Sequence, residues 1–110
     1  MDFNSLAEQL GLDEEDYMEL IEIFIDSGKS DLKKFINAMS GNEITQMANI
    51  AHSIKGSSAN LGLSDIADIA KNIEQKIKQG HIDDINQNIQ DISNKIDEIS
   101  SIHESKSQYS

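Results

Sequence analysis

The stretch AHSIKGSSANLG, residues 51–62, holds a histidine, a lysine and a glycine at spacings that place them on one side of a helix. His52 supplies an imidazole, which in its neutral form is a competent nucleophile near neutral pH. Lys55, one turn on, supplies a cation suited to a ring that comes to carry negative charge. Gly56 removes the side chain that would stand beside the ring, at a cost of roughly 1 kcal/mol in helix propensity relative to alanine. Ala48 and Ala59 extend the same face with small groups. Such a clearing makes sense where another protein's backbone must come close to the imidazole. A lone surface histidine, or a lone glycine kept for close helix packing, would carry no function.

The elements around this stretch read as helices. Ile44, Met47, Ala51, Ile54, Ser58 and Leu61 occupy a separate arc of the same helix, so His52 is expected to face outward or sideways at about 100° per residue. Asn42 is expected to start that helix and Gly62 to stop it. Upstream, Phe3, Leu6 and Leu10 imply a short helix ended by Gly11. Asp13 can cap a second, with Glu14, Glu15 and Asp16 at its positive end. Its inner stripe is Tyr17, Leu20, Phe24, Leu32, Phe35 and Met39, with Gly41 as the stop. Met18, Ile21, Ile25 and Ile36 widen that face, either as cover for the first helix or as a docking surface.

Downstream, Ser64 can cap a helix carrying Ile66, Ile69, Ile73 and Ile77 as far as Gly80. Isoleucines at 82, 85, 89, 92, 96, 99 and 102 then alternate steps of three and four, implying a last helix without an interior break. The closing ESKSQYS has no apolar period. The expected fold is all-α: an antiparallel up-and-down four-helix bundle with a short extra N-terminal helix across one end. Residues 1–104 form the domain and residues 105–110 a disordered tail.

Composition narrows the function further. The 110 residues carry a net charge of −11, with no cysteine and no proline. Thiolate metal sites, disulfides and cysteine nucleophiles are excluded. Nucleic acid and anionic membranes are disfavoured as partners, because both are bound mainly through excess Lys and Arg. Acidity favours a soluble monomer, and without a signal peptide or apolar span the expected compartment is the cytoplasm. His81 and His103 have no ligand-like spacing with His52, so no metal is expected here.

His52, Lys55, Gly56, Ser57, Ser58, Ala59, Leu61, Gly62 and Leu63 form the pattern H-x-x-K-G-S-S-A-x-L-G-L. With the following DIADIAKNIEQKIKQG, it resembles the histidine-containing phosphotransfer (HPt) domains of bacterial multistep phosphorelays, over residues 3 to 103. The resemblance implies that His52 takes a phosphoryl group from a receiver-domain aspartyl phosphate, through the ring nitrogen remote from the backbone, and passes it on. It implies that Lys55 steadies the phosphate and that Gly56, with Ala59 on the same face, leaves room for a receiver. It also implies a polar side chain from the next helix that orients the imidazole. Glu74 stands at that place, where some relatives have glutamine, with Lys71 and Lys78 on the same flank. A solvated charged face is the competing account of these three.

The implied partners are response-regulator receiver domains and a hybrid histidine kinase. No cofactor is expected on this chain, the magnesium belonging to the receiver, and no autokinase activity is expected, since no Gly-rich phosphate loop is present. Two other readings compete: an HPt-like module that docks and regulates without being phosphorylated, and a plain structural bundle dimerising through its isoleucine seam. Met1 and the polar tail favour a stand-alone protein.

Overall fold

The computed structural model describes residues 2–108, with side chains as far as Lys106. It contains α1 (Phe3–Gln9), α2 (Glu14–Ser40), α3 (Ile44–Asn60), α4 (Ser64–Lys78), a single 3-10 turn (Ile82–Asp84) and α5 (Asn86–Gln108). The first two starts are capped by carboxylates. Asp2 accepts from the Asn4 and Ser5 amides, and Asp13 accepts from the Asp16 amide at 2.9 Å.

The four following turns close in one way. After α3, the Leu63 N–H donates to Ser58 O and the Gly62 N–H to Ala59 O, with Gly62 left-handed at φ 75°. This paired closure needs a residue that tolerates positive φ. Gly11 and Gly80 fill the role after α1 and α4. After α2 it falls to Asn42 (φ 56°), not Gly41. The expected start of α3 at Asn42 is therefore corrected: Asn42 closes α2, and α3 begins at Ile44. Ser64 likewise does not cap α4. Leu63 takes that position, buried by the preceding closure, and Ser64 is the first helical residue.

α3 packs along α4 and α2, α2 along α5, α5 along α4, and α1 against α2. The core draws Tyr17, Ile21, Phe24 and Phe35 from α2, Met47 and Ile54 from α3, Ile66 and Ile73 from α4, and Ile92 and Ile96 from α5. Leu20, expected on the inner stripe, is exposed, because the buried arc centres on Tyr17, Ile21, Phe24 and Gly28. Ile21 and Ile25 belong to the core, whereas Ile36 is exposed.

The isoleucine seam is interrupted. Ile82 lies in the 3-10 turn and Ile85 precedes α5, although its side chain is fully buried. The Lys76 ammonium holds that turn by donating to Asp84 O at 2.9 Å and Asn88 Oδ1 at 2.8 Å. At the other end, α5 continues through residues 105–108, which were expected to be disordered; residues 109–110 of that stretch lie outside the described residues. The Lys106 ammonium meets the Glu14 carboxylate at 2.9 Å and lies 6.0 Å from the Phe3 ring centroid. His103 Nε2 is 3.1 Å from Met18 O. These contacts anchor the last turns to α1 and α2. Among the described residues no helix is long and apolar enough to cross a membrane.

Candidate functional site

The site is built across α3 and α4. Met47, Ile50, Ala51, Ile54 and Ser58 turn into the core and fix the rotation of α3. The Ser58 hydroxyl is fully buried and donates back to Ile54 O at 2.6 Å, with Lys55 O 3.1 Å away, so it needs no partner outside its own helix. That rotation leaves the His52 side chain 70% exposed. Ala59 and Gly56 are exposed beside it, and Ala48 is half-buried. A β-carbon added at Gly56 would meet nothing within 4 Å, so the glycine is not there for close helix packing.

On α4, Ile66, Ala70, Ile73 and Ile77 face the core, which turns Glu74 toward α3. Its carboxylate is only 12% exposed and serves two groups. Oε1 lies 2.8 Å from the Lys55 ammonium, and Oε2 lies 3.4 Å from His52 Nδ1. Oε1 is shielded from solvent without an aligned hydrogen-bond donor, so its compensation is the charge of Lys55. Burial pushes the Glu74 carboxyl up; the adjacent Lys55 ammonium, reinforced by His52, outweighs this and holds it below its ordinary value.

A carboxylate can only accept, so the imidazole tautomer that suits this contact carries its proton on Nδ1. Nε2 then keeps its lone pair, the Glu74 contact being made by Nδ1. In that tautomer Nε2 is the ring nitrogen left to the open surface, with a cation and a carboxylate behind the ring.

Glu74 is thus brought to His52 and Lys55. Lys71 and Lys78 are not drawn in: both are exposed and unpaired among the described residues. The ion pair between Lys55 and Glu74 escaped the reading of the sequence, in which Lys55 was assigned only to the phosphate.

The sequence profile of the Hpt domain matches residues 19–102. The chain belongs to the Hpt domain family. Domains of this family serve histidine phosphotransfer in phosphorelays, as phosphocarriers rather than enzymes in the usual sense. Its fold is similar to the crystal structure of histidine-containing phosphotransfer protein B (HptB) from Pseudomonas aeruginosa PAO1, with a TM-score of 0.85 and 21% identity, covering 100% of this chain and 96% of that one. No curated protein matches the chain in sequence.

Proposed function

We propose that this Hpt domain accepts a phosphoryl group on His52 Nε2 from the aspartyl phosphate of one receiver domain and delivers it to another. The Nε2 lone pair attacks phosphorus in line, the N–P bond forms, and the P–O bond to the aspartyl carboxylate breaks. Nδ1 keeps its proton toward Glu74, whose carboxylate offsets the positive charge that the ring gains. Lys55 neutralises part of the charge on the bound phosphoryl group. Gly56 and Ala59 keep the approach to the ring open. The divalent metal of the reaction is assigned to the receiver.

The observation that carries this reading is the pairing of an exposed imidazole with an anchored carboxylate, Nδ1 facing Glu74 and Nε2 left free. The working fold is an antiparallel four-helix bundle. It is supported by contacts that join the start of α2 to the end of α5 and the end of α4 to the start of α5. The partners are receiver domains and a hybrid kinase, and the domain acts as a cytoplasmic monomer.

Incubation with a phosphorylated receiver domain tests the assignment. The chain should acquire an acid-labile label, and His52→Gln should abolish it with an unchanged circular dichroism spectrum. Undiminished labelling of the variant would remove His52 from the role. Stable association without labelling of the wild type would leave a docking module in its place.

A further inference from the structure

The chain carries 20 acidic residues against nine basic ones, yet from Ile44 to Ser64 it has neither Asp nor Glu. The whole of α3 is free of carboxylates, and besides His52 its one charged residue is Lys55. On the neighbouring α4, Lys71 and Lys78 stand three residues before and four residues after Glu74, the spacing at which side chains on one helix flank meet. Glu74 is spaced to pair with either, as Asp68 is with Lys71. The Glu74 carboxylate is instead turned to Lys55 and His52, and both lysines are left exposed and without an ion pair among the described residues.

Four other lysines have carboxylate partners, Lys55 with Glu74, Lys76 with Asp84, Lys95 with Asp65 and Lys106 with Glu14, and among the described residues Lys29, Lys33 and Lys34 on α2 have none; Lys71 and Lys78 differ from these in standing on the flank of α4 that carries Glu74. Lys71 and Lys78 lie roughly 4.5 and 6 Å along the helix axis from Glu74 at 1.5 Å per residue. The one carboxylate bound beside the imidazole is already neutralised by Lys55.

We infer that the α3–α4 face is an electropositive window on a chain of net charge −11, and that Lys71 and Lys78 steer the anionic face of a phosphorylated receiver onto His52. The inference rests on the phosphotransfer reading above. Its occupant is fixed by chemistry: an aspartyl phosphate and the carboxylates that hold its metal form an anionic surface. Such a surface is attracted to the window and repelled by the remainder of the molecule. Charges placed this way act on encounter and orientation more than on the chemical step.

The experiment measures phosphoryl transfer from a phosphorylated receiver domain to the wild type and to Lys71→Glu, Lys78→Glu and Lys29→Glu. Ionic strength is raised from about 0.01 M, where screening extends roughly 30 Å, to about 1 M, where it extends about 3 Å. Lys29 lies on the α2–α5 side with Glu22, Asp26 and Glu104, so its reversal makes the same change in net charge away from the window. The Lys71 and Lys78 reversals should each lower kcat/KM about tenfold at low salt, with a flatter salt dependence and convergence on wild type at high salt. The kcat at saturating receiver should be unchanged. Lys29→Glu should follow the wild type within about twofold.

Equal salt slopes in all four proteins, or equal slowing by Lys29→Glu, would overturn the window while leaving phosphotransfer intact. A fall in kcat rather than in kcat/KM would likewise overturn steering. Absence of any label on the wild type would overturn the phosphotransfer reading itself, and the window with it.

Discussion

The Lys55 ammonium lies 2.8 Å from the Glu74 carboxylate, so the cation assigned to the phosphoryl group is already engaged before any phosphoryl group arrives. The same carboxylate faces His52 Nδ1. One residue therefore holds both the cation and the ring. On phosphorylation Lys55 has two anions within reach, and the phosphoryl group is the more exposed and more highly charged.

Lys55→Ala should therefore show two effects. The phosphohistidine should lose its group faster, by up to about tenfold for a charge-assisted contact weakened by partial exposure. The unphosphorylated protein should be destabilised by about 1–3 kcal/mol, because Glu74 Oε1 is left shielded and uncompensated. Decay of labelled protein and urea melts of unlabelled protein measure the two separately. Wild-type values in both would make Lys55 a solvated surface residue.

Glu74→Gln separates orientation from charge. The amide oxygen can still accept from His52 Nδ1, but the attraction to Lys55 is lost. The Glu74 pKa is lowered on folding from its ordinary value of 4.5. Its stabilising contribution is therefore present above that value and is lost as pH falls through the depressed folded value. Wild type should exceed Glu74→Gln in stability at about pH 7, and the gap should close toward about pH 3. Urea unfolding at both pH values checks it; a gap that does not change with pH would mean that charge is not what Glu74 contributes.

The parts of this molecule that the sequence discloses are those set by local geometry. His52, Lys55 and Gly56 share a face by turn arithmetic alone, and Gly11, Gly62 and Gly80 announce their turns because positive φ excludes most side chains. Asn42 was less legible, since asparagine serves equally at a helix start and in the left-handed closing position. The ordered end of α5 was hidden because what holds it is distant: Lys106 and Glu14 are 92 positions apart. The ion pair between Lys55 and Glu74 was hidden for a related reason, as the reach of two long side chains across α3 and α4 depends on interhelical register.

A long-range contact of this kind also secures the far side of the site helix. The Tyr17 hydroxyl donates to Leu61 O in the turn after α3, and burial pushes the phenol up to about 12. Tyr17→Phe should cost about 1 kcal/mol at neutral pH. Because the folded pKa lies above the unfolded value of 10.0, the wild type's stability at this group is complete below about pH 10 and is lost as pH rises toward 12. Urea melts at neutral and alkaline pH should show that alkaline loss in the wild type, reduced in Tyr17→Phe. Parallel losses would assign the alkaline unfolding to other groups.

Gly56 and Gly28 both lie inside helices, and alanine at either should gain up to about 1 kcal/mol from propensity alone. Their surroundings separate them. At Gly56 a β-carbon meets open space, whereas at Gly28 it would stand 2.9 Å from Ile96 Cδ1, in the buried contact between α2 and α5. Gly56→Ala should therefore keep most of the propensity gain and raise the melting temperature, while Gly28→Ala must displace the Ile96 terminal methyl and should gain less than Gly56→Ala. Function should move the other way. Gly56→Ala places a methyl group one turn from the imidazole and should slow transfer from a receiver, and Gly56→Gln should slow it further with the fold intact. Gly28 faces the core and should leave transfer by folded protein unchanged. Thermal melts set beside transfer rates decide the matter: a less stable Gly56→Ala with normal transfer would mean that the glycine serves the bundle and not the partner.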